Sequence, residues 1–180
     1  MELFVNGFGL SAVVFFPLIS AFVITLIPKA QEQLIKRFAL ASSLITFVLS
    51  AILLFQFDFS SAEKLQLGNK ISWIKSINAN YEIGIDGISL PLLVLSTFIT
   101  VLAIIYSLEH LPEPKSPKGF LALILVLETG MNGTFVALDL ILFFVFFEIV
   151  LLPMYFMIGI WGDKTAVSYT HLRAHETHEN

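Results

Sequence analysis

An ionisable group kept inside hydrocarbon needs a partner or a purpose, and the most apolar stretch of this 180-residue chain keeps one: Glu148, within LILFFVFFEIVLLPMYFMIGIW from Leu140 to Trp161. An ionised carboxylate there costs at least about 2.5 kcal/mol even on the mildest insertion scale. Burial favours the neutral acid and a nearby cation favours the carboxylate, and competition between those effects is what a proton relay requires. The plainer role is a permanently protonated acid that hydrogen-bonds a neighbouring helix. Pro153 has no N–H to offer the carbonyl of Ile149, so an acceptor is freed and a kink is predicted beside Glu148, for function or for packing alone.

Glu128 is the second intramembrane carboxylate. With Asn132 at the i+4 position and Gly133 beside it, it gives the preceding apolar segment a polar, small-residue face expected to look inward. That face either extends a water-filled path toward Glu148 or binds helices together. Asp86 and Asp139 precede apolar runs, where helix capping accounts for them. His110 falls at a helix end, as a solvated loop histidine or as a proton-entry residue. His171, His175 and His178 have a helical spacing that can gather a metal, yet HETHE is not the HExxH zinc motif, because too few residues separate its histidines. Neither a phosphate loop, a nucleophile triad nor a haem ligand pair is present. The lack of cysteine removes iron–sulfur and thiolate metal chemistry and leaves histidine or carboxylate metal sites formally open; no metal or cofactor is expected on this chain.

The elements that hold these residues follow from composition. With 57% hydrophobic and 13% charged residues and a mean hydropathy of +0.86, the chain has too few polar side chains to cover one water-soluble core. It reads as an integral membrane protein with an all-α, polytopic helix bundle. The net charge of −4 is small and scattered, so no nucleic-acid surface is expected. Spans of roughly 20 apolar residues are predicted at 3–27, 38–57, 87–108, 119–138 and 140–161. The run from Gly119 to Gly162 would measure about 65 Å as one helix, twice the membrane core, and so must turn back once. A turn at Asp139 leaves two spans of proper length, whereas one at 129–134 does not. Between spans two and three, alternation in LQLGNKISW around Gly68 and Asn69, and again in YEIGID, predicts a small external β-hairpin within 58–86. Lys29, Lys36, Arg37, Lys115, Lys118 and Lys164 fall on one side and Lys64, Lys70 and Lys75 on the other, which predicts an external N-terminus. Tyr106 and Trp161 suit interfacial anchoring.

In GIDGISLPLLVLSTFIT (Gly84 to Thr100) and ALDLILFFVFFEIVLLPMYFMIGIWG (Ala137 to Gly162), the chain resembles the antiporter-like membrane subunits of proton-pumping NADH:quinone oxidoreductase, respiratory complex I, most of all the chain M or subunit 4 branch. The resemblance covers residues 1 to about 164. It implies a proton-translocating subunit of the membrane arm, in a bacterial inner membrane, with two inverted five-helix repeats whose broken helices line a proton path. Other membrane-arm subunits are the implied partners; NADH, flavin, iron–sulfur clusters and quinone belong to other subunits. Glu148 matches the fifth-helix glutamate that pairs with a lysine on the broken seventh helix, and this sequence ends before that lysine. Mrp-type cation/proton antiporters and membrane-bound hydrogenase subunits share the fold and the buried charges; a noncatalytic helix-packing or assembly subunit is the alternative of another class. After IWGDK the chain reads TAVSYTHLRAHETHEN, similar to translated sequencing-adapter read-through, so residues 165–180 are expected to be non-native and the chain to be an N-terminal fragment.

Overall fold

Backbone groups in hydrocarbon must bond within their own segment, and the five apolar runs meet that demand as helices. The computed structural model describes residues 8–111 and 116–162: α1 (Phe8–Leu26), α2 (Glu32–Gln56), β1 (Gln66–Ile74), β2 (Ala79–Ile85), α3 (Ser89–Glu109), α4 (Pro117–Val136) and α5 (Leu140–Trp161). All five helices are long and apolar enough to span a membrane. The tail at 165–180, with its three histidines, lies outside the described residues, as do Lys115 and Lys164. Large exposed side chains such as Phe22 and Phe55 suit the lipid-facing surface of such a bundle.

Helix two differs from expectation, starting at Glu32 rather than at residue 38. A polar first turn does not end a helix at the membrane surface, because long side chains reach back to polar groups. Lys36 Nζ donates to the Leu108 carbonyl at 3.2 Å, and Lys118 Nζ donates to the Ile27 carbonyl at 2.7 Å. Each lysine thereby meets an end carbonyl of another helix or its exit, where a cation is favoured.

α4 packs against α1, α2, α3 and α5, and is the most buried span; α5 is the least buried. The close approach of α4 to α5 depends on Gly130 and Gly133. A Cβ added at Gly130 would lie 2.8 Å from the Val150 nitrogen, and one at Gly133 would enter the Phe146 ring. Phe146 in turn is buried beside Leu10, Val13, Val136 and Leu142. Small residues that let helix backbones close up are the usual basis of association where hydrophobicity gives no preference.

The hairpin forms as expected, antiparallel, with Gly68 and Asn69 inside β1 at an irregular register. The reversal is a 3₁₀ turn, Lys75–Ile77, completed by Asn78 in the left-handed region at φ 52°. Asparagine tolerates that conformation better than most residues. The hairpin is fastened to the α4–α5 turn. Leu138 N–H donates to the Glu82 carbonyl at 2.9 Å, Ile83 bridges Ala137, and Asn80 N–H donates to Asp139 Oδ2 at 3.0 Å.

Asp139 also caps α5, its Oδ1 accepting from Ile141 and Leu142 N–H at 2.9 and 3.1 Å. Asp86 starts α3 in the same manner: Oδ1 accepts from Ser89 and Ile88 N–H, while Ser89 Oγ accepts from Asp86 N–H. Both carboxyls are held below the usual value of 3.8, Asp139 first by the Asn80 N–H and Asp86 first by the Ser89 N–H. A lowered folded-state pKa gives stability that is present above the unfolded value and lost as pH falls through the folded one. Acidification below 3.8 is therefore expected to loosen these two helix starts before the bundle interior. Asp139→Ala should do so at neutral pH, raising amide hydrogen exchange several-fold at Asn80, Ile141 and Leu142 while leaving α2 unchanged. Equal exchange in both proteins would show that the cap and the hairpin tether contribute nothing.

Candidate functional site

The two membrane carboxylates occupy opposite environments. Glu148 projects from the outward stripe of α5 that includes Phe144, Leu151, Leu152, Tyr155 and Ile158, all exposed. It lies about 12 Å along the helix from Leu140. An open groove of about 550 Å³ runs past it, lined by Val126 of α4 and by Ile141, Phe144, Val145, Ile149 and Leu152. Among the described residues Glu148 has no hydrogen-bond or ion-pair partner. Pro153 is buried one turn beyond, and Ile149, whose carbonyl it frees, lines the same groove. α5 continues through Pro153 as one helix from Leu140 to Trp161.

Glu128 lies on the other side of α4, fully buried, with neither carboxylate oxygen given a protein hydrogen-bond partner among the described residues. Asn132, one turn away, is the junction of the bundle. Its Oδ1 accepts from Ser96 Oγ of α3, and its Nδ2 donates to the Val13 carbonyl of α1, both at 3.3 Å. Val13 is free to accept because Pro17 stands four residues later without an N–H. Ser50 of α2 and Thr97 of α3 share a further bond at 2.8 Å at the same level. A polar belt thus crosses four helices in the middle of the apolar interior. Carrying the antiparallel register one turn onward sets Glu128 opposite Thr100 and Pro17.

The structure therefore joins Glu128 and Asn132 in one interior face, as their spacing predicts, and does not bring Glu148 to them. His110 belongs to neither place. It is exposed at the end of α3, its ring stacked on Tyr106 with centroids 4.6 Å apart, about 15 Å along the helix from Thr100. Sequence reading missed Pro17 and the Val13 carbonyl it frees; the rule that singled out Pro153 applies equally there. Among the described residues no cluster of His, Asp or Glu could hold a metal.

Comparison with known proteins shows what the chain is similar to. The chain matches the model of the NADH-ubiquinone oxidoreductase chain 4 amino terminus over residues 13–134, and that of the NADH:quinone oxidoreductase/Mrp antiporter transmembrane family over residues 137–174. It is 38% identical to NADH-ubiquinone oxidoreductase chain 4 of Arabidopsis thaliana over 157 residues, 87% of this chain and 31% of that one. It is 40% identical to NAD(P)H-quinone oxidoreductase chain 4 of Prochlorococcus marinus strain AS9601 over 157 residues, 86% of this chain and 29% of that one. The Marchantia polymorpha chain 4 is 36% identical over 156 residues. The chain thus spans about 30% of the length of the curated relatives it matches.

Proposed function

The chain belongs to the NADH:quinone oxidoreductase chain 4 family, and from that premise we propose that it translocates protons as part of the membrane arm of such a complex, with Glu148 as a relay carboxylate. The observation that carries this reading is the place of Glu148: an ionisable group with no partner among the described residues, on a long apolar face and beside a groove. Left against lipid it would be costly, so that face is one that further helices cover, bringing a cation to the carboxylate. Approach of the cation favours the ionised form and its withdrawal favours proton uptake. Redox chemistry belongs to other subunits, which hold NADH, flavin, iron–sulfur clusters and quinone, and whose free energy is coupled to that movement of charge. Proton pumping by assembled complexes carrying Glu148→Gln is the test.

The membrane orientation is part of the same proposal. Lys36 and Lys118 gather at the bundle end opposite the hairpin, and the basic bias of short loops assigns that end to the cytoplasm of a bacterium, with the N-terminus outside. A cysteine at Ser61 should then react with a membrane-impermeant thiol reagent in intact cells, and one at Gln31 should react only after permeabilisation. The reverse pattern would overturn the orientation.

A further inference from the structure

The relay reading uses Glu148 and leaves Glu128 unexplained. A fully buried carboxyl with both oxygens unpartnered among protein groups is rare enough to need an account. The hydroxyls around its level do not supply one. Ser43, Thr46, Thr100 and Thr129 each donate to a carbonyl of their own helix, to Leu40, Ser42, Ser96 and Leu125 respectively, at 3.0–3.2 Å. Having committed their protons, they can only accept. An ionised Glu128 also only accepts, so among these groups nothing would bind it; the protonated acid, by contrast, has an O–H to give them. Its carbonyl oxygen still lacks a donor. The buried Ser42 hydroxyl likewise has no partner among the described residues. Water, with two protons and two lone pairs, would complete both sets of bonds.

These groups are not isolated from the membrane surface. The pairing of Ser50 with Thr97 fixes the register of α2 against α3, and in that register a buried hydroxyl recurs at nearly every turn. Thr46 and Thr100 come first, then Ser42 and Ser43, then Ser107, and Lys36 bonds the Leu108 carbonyl at the end of the strip. Ile35, Ala39 and Ile104 flank it on the side of α1 and α4. At the lysine-bearing end Lys36 is joined by the exposed Glu32 and Arg37 of α2 and Glu109 of α3. Hydroxyls bonded to their own helix are ordinary in membrane bundles. The unpartnered acid at the inner end is what distinguishes this strip.

We propose that Glu128 is a second proton-exchanging site, separate from Glu148, holding a water with Ser42 and communicating with the lysine-bearing end through the hydroxyl strip between α2 and α3. Exchange is a plain proton swap: the carboxyl proton passes to the water while the water returns one of its own. Infrared spectroscopy of membranes containing the assembled complex tests it. A protonated carboxyl C=O band should be lost in Glu128→Gln and kept in Glu148→Gln, and it should shift in D₂O. Ser42→Ala combined with Thr46→Val should slow that shift about tenfold, while Thr46→Ser alone should not. Absence of a Glu128-dependent band, a band that never shifts, or a shift equally fast in the double variant would each overturn the proposal. None of these readouts depends on pumping through Glu148, so either reading can fail alone.

Discussion

Complexes carrying Glu148→Gln are expected to assemble at normal levels and to lose nearly all coupled proton pumping. Glutamine keeps the shape and the hydrogen-bonding capacity of the side chain but cannot exchange a proton. Since Glu148 makes no hydrogen bond or ion pair among the described residues, its replacement removes nothing that holds the five helices together. A positioned proton-transfer group typically contributes about a hundredfold or more to its step, so coupled turnover should fall on that scale. Glu148→Asp still titrates and should retain more, reduced by the shorter reach of its carboxylate into the groove. The measurement is NADH-driven acidification of inverted vesicles, normalised to assembled complex. Normal pumping by assembled Glu148→Gln complexes would replace the relay with an interhelical hydrogen-bond role.

Gly133→Val is expected to have the largest structural effect. A Cβ at this position enters the Phe146 ring, so the buried Phe146, only 2% exposed, must move to accept it. Its ring also leans on Phe15, with centroids 6.1 Å apart, so displacement would disturb α1 as well. Overpacking of a filled interior costs about 1–3 kcal/mol where side chains can adjust, and more where backbone must move. Valine should therefore part α4 from α5 and sharply lower the amount of protease-resistant protein in the membrane. Gly133→Val with Phe146→Ala should recover part of that amount, since the smaller partner makes room. A double variant no better than the single one would show that the clash is not the cause.

Much of the architecture was legible because the bilayer imposes lengths. Segment lengths near 20 residues and the forced reversal at Asp139 follow from the thickness of hydrocarbon and the rise of a helix, and α5 begins at Leu140 as that reasoning requires. The hairpin was readable from its alternation. Its tip was not, because the reversal at Asn78 contains no glycine and depends on one residue taking a positive φ. The start of α2 was misplaced for a related reason: charged residues signal a loop in composition, yet Lys36 finds a carbonyl on another helix, which no single segment reveals.

The sequence by itself determined that two carboxylates lie within spans, that Asn132 accompanies Glu128, and that aspartates begin α3 and α5. The polar face of α4 already predicted that Glu128 is enclosed; that Glu148 looks outward was decided only by the tertiary structure. α5 is apolar nearly all the way round, and a helix without a polar side has no hydrophobic asymmetry to orient it. In hydrocarbon, orientation instead follows from where backbones can approach and where polar groups find one another. Gly130 and Gly133 turn one face of α4 to α5, Asn132 turns another to Ser96 and to the carbonyl that Pro17 leaves free, and Glu128 is carried inward with it. α5 presents Phe146 to those glycines, and Glu148, two residues further on, is carried out to the groove.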